Sequence, residues 1–227
     1  MWESSVCDPC LDRLPPIASP RCAACGRALG RSQLRLCSQC RASPPPLEHA
    51  RAWGVYTGYL QALIHALKFR GELRVAQGLG ELMAWIVAAD GRYGRIDAVA
   101  PVPLHPSRQR ERGYNQAEAL ARVVAAQLGK PLIQPAVRVE ATLPQTKLPW
   151  SARRRNVRQA FAVPRPAEVA GRRLLLVDDV YTTGATLGAF ALALKRAGCR
   201  RCVSVCAAAS SLDVEFGGAE APGDPSG

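Results

Sequence analysis

Two adjacent carboxylates, Asp178 and Asp179, stand where the apolar run Leu174–Val177 ends, and the chain continues "VYTTGAT" to Thr186. Parallel α/β sheets bind ligands in the crevice beyond the carboxyl ends of their strands, so acids at such an end are ligand candidates. Gly184 permits a tight backbone turn. Successive amides of that turn, with the N-terminus of the helix that follows, make a nest for an anion. The hydroxyls of Thr182, Thr183 and Thr186 and the amides of Gly184 and Ala185 add donors for phosphate oxygens. Carboxylates this close would repel a phosphate unless they hold hydroxyl groups of the same ligand, or a magnesium ion. A sugar phosphate meets both demands. The plainer alternative is that the acids cap a loop and a threonine caps a helix. A Walker-type loop needs G-x-x-x-x-G-K-[ST], which the sequence lacks.

Six of the nine cysteines fall in the first 40 residues as three Cys-x-x-Cys pairs: Cys7/Cys10, Cys22/Cys25 and Cys37/Cys40. Two such pairs complete a closed, tetrahedral structural zinc site. Eleven residues separate Cys10 from Cys22 and eleven separate Cys25 from Cys37, so spacing alone allows either neighbouring combination. Gly26, directly after Cys25, suits the turn that aims amides at sulfur. It favours Cys22, Cys25, Cys37 and Cys40 as the zinc ligands, with Cys7 and Cys10 left over. A redox Cys-x-x-Cys needs one pair and not three. The segment has almost no apolar core, so Zn2+ would supply its folding energy. Cys199, Cys202 and Cys206 lie in or beside an apolar segment and read as small buried hydrophobes.

The formal charge is +12, and from Pro101 to Leu175 there are 14 Arg and Lys against 4 Asp and Glu. Such a segment attracts a diphosphate, a nucleic acid, or both; the bland alternative is a solvated face. Arg108, Arg110 and Arg112 follow a strand end, as cleft residues or as an exposed basic turn, and Asn115 and Gln116 open the next helix. Arg153, Arg154, Arg155 and Arg158 stand between Trp150 and Phe161, an arginine–aromatic mixture suited to single-stranded DNA, although Phe161 also fits a core. Lys68 and Arg70 either join the cleft or merely end a helix favourably. His49, His65 and His105 accompany no nucleophile or metal pair.

These groups must be carried by an ordered frame. Residues 1–46 form the cysteine segment, closed by "SPPP"; 47–211 alternate strands and helices; 212–227 have the composition of disorder. "RAWGVYTGYL" is strand-like, "GYLQALIHALKF" helical, Glu72–Ala89 a second helix, "RIDAVAPVPL" a short strand and Asn115–Leu128 a helix. Arg173–Val177 and "RCVSVCAAA" are strands that flank a helix from about Thr186 to Arg196. The alternation predicts an α/β domain with a mostly parallel sheet and flanking helices, plus the small N-terminal zinc segment. The longest apolar run, Leu82–Ala89, is far too short to span a membrane, and a cytoplasmic location is expected.

With these residues in hand, "VDDVYTTGAT" resembles the phosphoribosyl-diphosphate signature of the type I phosphoribosyltransferases. "ALKFRGE", "VPLHPSRQRERGYNQA", "QTKLPWSARRRNVRQAF" and the cysteine pairs resemble one branch, the ComF family, linked to bacterial competence and DNA uptake. The resemblance covers residues 7 to about 210. It implies a type I phosphoribosyltransferase-like fold with a zinc ribbon. It also implies that Asp178 and Asp179 hold the ribose 2- and 3-hydroxyls with Mg2+ alongside, and that Thr182–Thr186 bind the 5-phosphate. The same resemblance implies that Arg112, Gly113 and Asn115 belong to the fixed part of the site and that Arg153–Arg158 lie in the region of a mobile lid. Many relatives carry four cysteine pairs in two ribbons where this chain has three, which leaves Cys7 and Cys10 without a partner pair. Two functions follow: a phosphoribosyl transfer enzyme serving DNA uptake, or a non-catalytic single-stranded DNA-binding module, working with DNA-uptake proteins, that keeps phosphoribosyl diphosphate as a ligand.

Overall fold

The computed structural model describes residues 8–31, 34–139 and 160–211. The region of Arg153, Arg154, Arg155 and Arg158, Cys7, and the 212–227 tail lie outside them.

Two short helices, α1 (Asp8–Asp12) and α2 (Ser38–Ala42), belong to the cysteine segment. Strand β1 (His49–Val55) leads to α3 (Gly58–Phe69) and α4 (Arg74–Ala89), then to β2 (Ala98–Pro101). Helices α5 (Pro106–Arg112) and α6 (Gln116–Gln127) follow. The two-residue strands β3 (Val137–Arg138) and β4 (Phe161–Ala162) pair antiparallel. Then come β5 (Arg173–Tyr181), α7 (Ala185–Arg196) and β6 (Arg201–Ala209). The main sheet has the order β1-β6-β5-β2, with every pairing parallel.

Side-chain alternation along β5 explains the two layers. Leu174 and Leu176 pack on the face covered by α7 and the cysteine segment, whereas Leu175 and Val177 pack on the face covered by α3, α4 and α6. Such two-sided burial is what an unbroken apolar run in a central parallel strand requires. Cys199, Cys202 and Cys206 are buried in this core, as their apolar setting suggested. Among the described residues no helix is long and apolar enough to cross a membrane.

Two elements differ from the sequence expectation. Strand β5 does not stop at Val177: Asp178, Val180 and Tyr181 continue the ladder to β6, opposite Cys206, Ala208 and Ala209. Strand β2 ends at Pro101, opposite Val177, so the acids stand on a strand that overruns its neighbour. The basic stretch after β2 is a helix, not a turn. Pro106 occupies its first turn, the His105 ring accepts the Ser107 N–H (3.2 Å), and Gly113 closes it on the Gln109 carbonyl (2.8 Å).

Candidate sugar-phosphate site and metal centre

Beyond Val177 the edge of β5 that faces β2 has no strand beside it among the described residues, and its own carboxylates fold back upon it. Asp178 Oδ1 accepts the Asp179 N–H (2.9 Å), and Asp179 Oδ1 accepts the Val180 N–H (2.7 Å). Asp179 is buried, with the Lys68 ammonium 2.8 Å from its Oδ2. Lys68 comes from the last turn of α3. Burial would lower its pKa, but the charges of Asp179 and Asp178 outweigh that and raise it. Asp178 is pushed up to about 8, first by burial and then by the Asp179 charge, with Lys68 and Arg138 opposing. A carboxyl that holds its proton near neutrality is primed to exchange it for a cation or a sugar hydroxyl.

Two cations act on these acids, Lys68 by direct contact with Asp179 and Arg138 through its charge on Asp178, and the 105–116 segment packs beside Lys68. Arg112 ends α5 with its guanidinium over the Phe69 ring (5.1 Å) and Nη1 on Gln116 (2.8 Å), and Tyr114 donates its hydroxyl to the Leu67 carbonyl. Those contacts clamp the 105–116 segment onto the end of α3 that carries Lys68. Arg138 on β3 stands over Phe161 (5.5 Å); burial and the nearby Arg108 depress its pKa while Asp178 supports it. Nothing in the sequence around Arg138 singled it out. Asn115 has a mostly internal duty: its side chain caps α6 through Ala117 N–H (3.0 Å) and donates to the Val102 carbonyl (3.0 Å). It thereby fixes α6 to the end of β2.

The loop after β5 is a half-exposed turn onto α7. Gly184 takes φ +74°, the left-handed region, and Thr183 Oγ1 accepts the Ala185 N–H (3.3 Å). The other first-turn amides of α7 have no acceptor within the helix and carry the positive end of its dipole. Beneath the loop lies the Tyr181 ring; a Cβ on Gly184 would stand 2.2 Å from its hydroxyl oxygen and 2.6 Å from Cζ. Gly184→Ala therefore combines left-handed strain of about 1–2 kcal/mol with a clash. Its melting temperature is expected to fall by roughly 3 °C or more; adding Tyr181→Leu, which removes the ring atoms at 2.2–2.6 Å, should relieve the clash but not the strain. A melt unchanged in the single variant would contradict this packing.

The four cysteines favoured by the Gly26 turn are the four that meet. Cys22, Cys25, Cys37 and Cys40 are all buried, with their sulfurs within 4.8 Å of one another. Cys25 and Cys37 are 3.7 Å apart, close to the roughly 3.8 Å edge of a tetrahedron built on 2.3 Å zinc–sulfur bonds. Gly26 takes φ +76°, and a Cβ there would stand 2.8 Å from the Ala50 carbonyl oxygen, so both the conformation and the space ask for glycine. Sulfurs this crowded resist ionising together: the Cys25 thiol is pushed up to about 12, chiefly by the Cys22 sulfur and further by burial. A divalent cation would reverse that, so the donor set fits zinc. Cys10 lies on α1 and is not one of the four.

The centre is wired to the loop through Arg27, the residue after Gly26. Its Nη1 donates to Gln39 (2.7 Å), its Nη2 to Ser210 (3.3 Å), and its guanidinium stands 5.5 Å from the centroid of the Tyr181 ring that underlies Gly184.

Residues 111–215 match the phosphoribosyl transferase domain, a span that holds Arg112, the acids and the loop. The chain is 35% identical over 181 residues to "DNA utilization protein YhgH" of Salmonella typhi, covering 78% of each chain. It is 31% identical over 201 residues to "Competence protein F" of Haemophilus influenzae, covering 86% of each. Among solved structures, an allosteric regulatory enzyme of purine biosynthesis aligns with a TM-score of 0.40 and 19% identity over 58% of this chain and 26% of that one. The competence and DNA-utilization relatives, together with a phosphoribosyl transferase domain behind a four-cysteine cluster, make this chain a member of the ComF family.

Proposed function

We propose that the protein binds phosphoribosyl diphosphate at the overrunning end of β5 and transfers its phosphoribosyl group in the service of DNA uptake. The observation that carries this reading is the sequence of functions along one strand end: Asp178, Asp179, then the left-handed Gly184 turn onto the N-terminus of α7. The acids hold the ribose hydroxyls, and the amides and hydroxyls of Thr182, Thr183, Gly184, Ala185 and Thr186 hold the 5-phosphate. Lys68, Arg112 and Arg138 make the surroundings of the leaving diphosphate positive. Breaking the bond from C1 to diphosphate leaves cationic character at C1, which the carboxylates favour. Magnesium fits as a companion of the ligand: Asp178 offers an oxygen donor, but Lys68 already neutralises Asp179, so most coordination would come from the diphosphate and water. Bound there, the ion would neutralise charge on the leaving group. Zinc at the four cysteines is structural.

The names of the relatives support a role in handling DNA, and the alternative in which the site only binds its ligand differs in one readout, diphosphate release with candidate acceptor bases. Calorimetry with phosphoribosyl diphosphate and magnesium tests the site itself. Asp178→Asn/Asp179→Asn is expected to bind at least tenfold more weakly than wild type; equal affinity would show that the acids do not hold the ligand.

A further inference from the structure

Arg51, on the edge strand β1, is 1% exposed. Its Nε donates to Asp90 (3.2 Å) and its Nη1 to the carbonyls of Cys22 (3.1 Å) and Ala50 (2.7 Å). Among the described residues its Nη2 is buried with no hydrogen-bond partner, and so is Nε of Arg21. Both arginines line one cavity of about 480 Å³, whose other walls include Trp85, Asp90 and Arg92. The volume lies within the roughly 300–1,000 Å³ of small-molecule sites. A buried guanidinium N–H without an acceptor costs free energy, and an anion in the cavity would remove that cost.

The charge balance agrees. Asp90 is the one acid among the lining residues, and it is already engaged by His49 (3.0 Å), Arg51 and Arg92 (2.7 Å). Among the described lining residues, three guanidinium groups against one carboxylate leave an excess of two positive charges. Beside them Trp85 is 49% exposed, its indole held edge-on against Trp53 with ring centroids 5.9 Å apart. A large aromatic surface left open next to unpaired arginine donors suits a ligand with a flat ring and a phosphate. The cavity lies two strands from β5, between the chain entering the cysteine centre and the last turn of α4, and shares no lining residue with the Asp178 edge.

We propose that this cavity is a second, separate binding site for a nucleoside phosphate, with the phosphate on Arg21 and Arg51 and the base against Trp85. The nucleotide is either free or the 5′-terminal unit of a single strand; the phosphate and base are the same in both.

Calorimetry on the full-length, zinc-loaded protein with deoxyadenosine monophosphate tests it. Arg21→Gln should weaken binding at least tenfold and Trp85→Leu about fivefold or more, with zinc content unchanged in both. Inorganic phosphate should bind weakly and respond to Arg21→Gln but not to Trp85→Leu. Asp178→Asn/Asp179→Asn should leave nucleotide binding as in wild type. A 5′-phosphorylated decadeoxynucleotide that binds more tightly than its 5′-hydroxyl counterpart, with the same sensitivity to Arg21→Gln, identifies a strand end as the ligand; equal weak binding of both identifies the free nucleotide. Deoxyadenosine binding as well as its monophosphate, Arg21→Gln without effect, or nucleotide binding lost with the aspartates would each overturn the proposal.

Discussion

Replacing Cys37 with serine, or stripping metal from the wild-type protein with a chelator, is expected to unfold the cysteine segment and lower the melting temperature by more than about 15 °C. Structural zinc contributes on the order of 10 kcal/mol to folding, as much as the whole net stability of a typical domain. A chain of this size loses roughly 2–4 °C per kcal/mol, so forfeiting even half of the zinc contribution is severe. The damage would not stay local. The four cysteines belong to the same buried cluster as Leu176, Leu187 and Phe190, so losing them uncovers one face of the sheet. Arg27 would also lose its position over Tyr181, the ring that supports Gly184. Binding of phosphoribosyl diphosphate should therefore weaken together with the melt. Metal analysis and thermal melts check this: one zinc per chain is expected in wild type and none in Cys37→Ser. A metal-free wild type, with Cys37→Ser melting within about 1 °C of it, would remove the metal from the account.

The contrast between what could and could not be read from the sequence has physical causes. Local signals carried the strands and helices of the main layer, since each apolar run buries against a neighbour regardless of its partner's identity. Gly26 and Gly184 were legible for a similar reason: each backbone turn demands that residue at that position. The choice of Cys22, Cys25, Cys37 and Cys40 over the other equally spaced combination needed only the local turn, and it agrees with the cluster observed. What sequence order concealed is cross-chain. The length of β5 is set by β6, whose Cys206–Ala209 keep pairing after β2 has ended, and the two aspartates, poor strand formers, mask the strand preference of Val180 and Tyr181. Arg138 lies in a two-residue strand whose pairing with Phe161 spans a gap of more than twenty residues. Lys68 was legible only as one of two alternatives, a helix-ending charge or a cleft residue. Its 2.8 Å approach to Asp179 pairs it with an acid of β5, which a merely helix-ending charge would not do.

That approach makes Lys68→Met the most informative single change at the strand end. It leaves two neighbouring carboxylates on a mostly buried edge with one cation fewer, and removing one partner of a buried pair costs about 3–5 kcal/mol. The loss should depend on pH in a definite direction. In wild type Asp178 ionises at about 8 when folded against an ordinary value of 3.8. Between those values the unfolded chain releases a proton that the folded chain keeps, so this group's contribution is complete below about pH 4 and drains away as pH rises through about 8. Asp178→Asn removes the titration, and its melting temperature should fall less than that of wild type between pH 5 and pH 8. Lys68→Met acts the opposite way: it removes the positive charge that opposes the upward shift, so the pair must hold a proton to higher pH and stability falls more steeply. The expected result is a melt lowered by roughly 8 °C or more at pH 8 and by clearly less at pH 5. Adding Asp179→Asn to Lys68→Met should restore most of the loss at pH 8, because the second change removes the charge the first left unpaired. Equal losses at both pH values, or no recovery in the double variant, would mean that Lys68 packs against the strand without serving as the counter-ion that holds the two acids together.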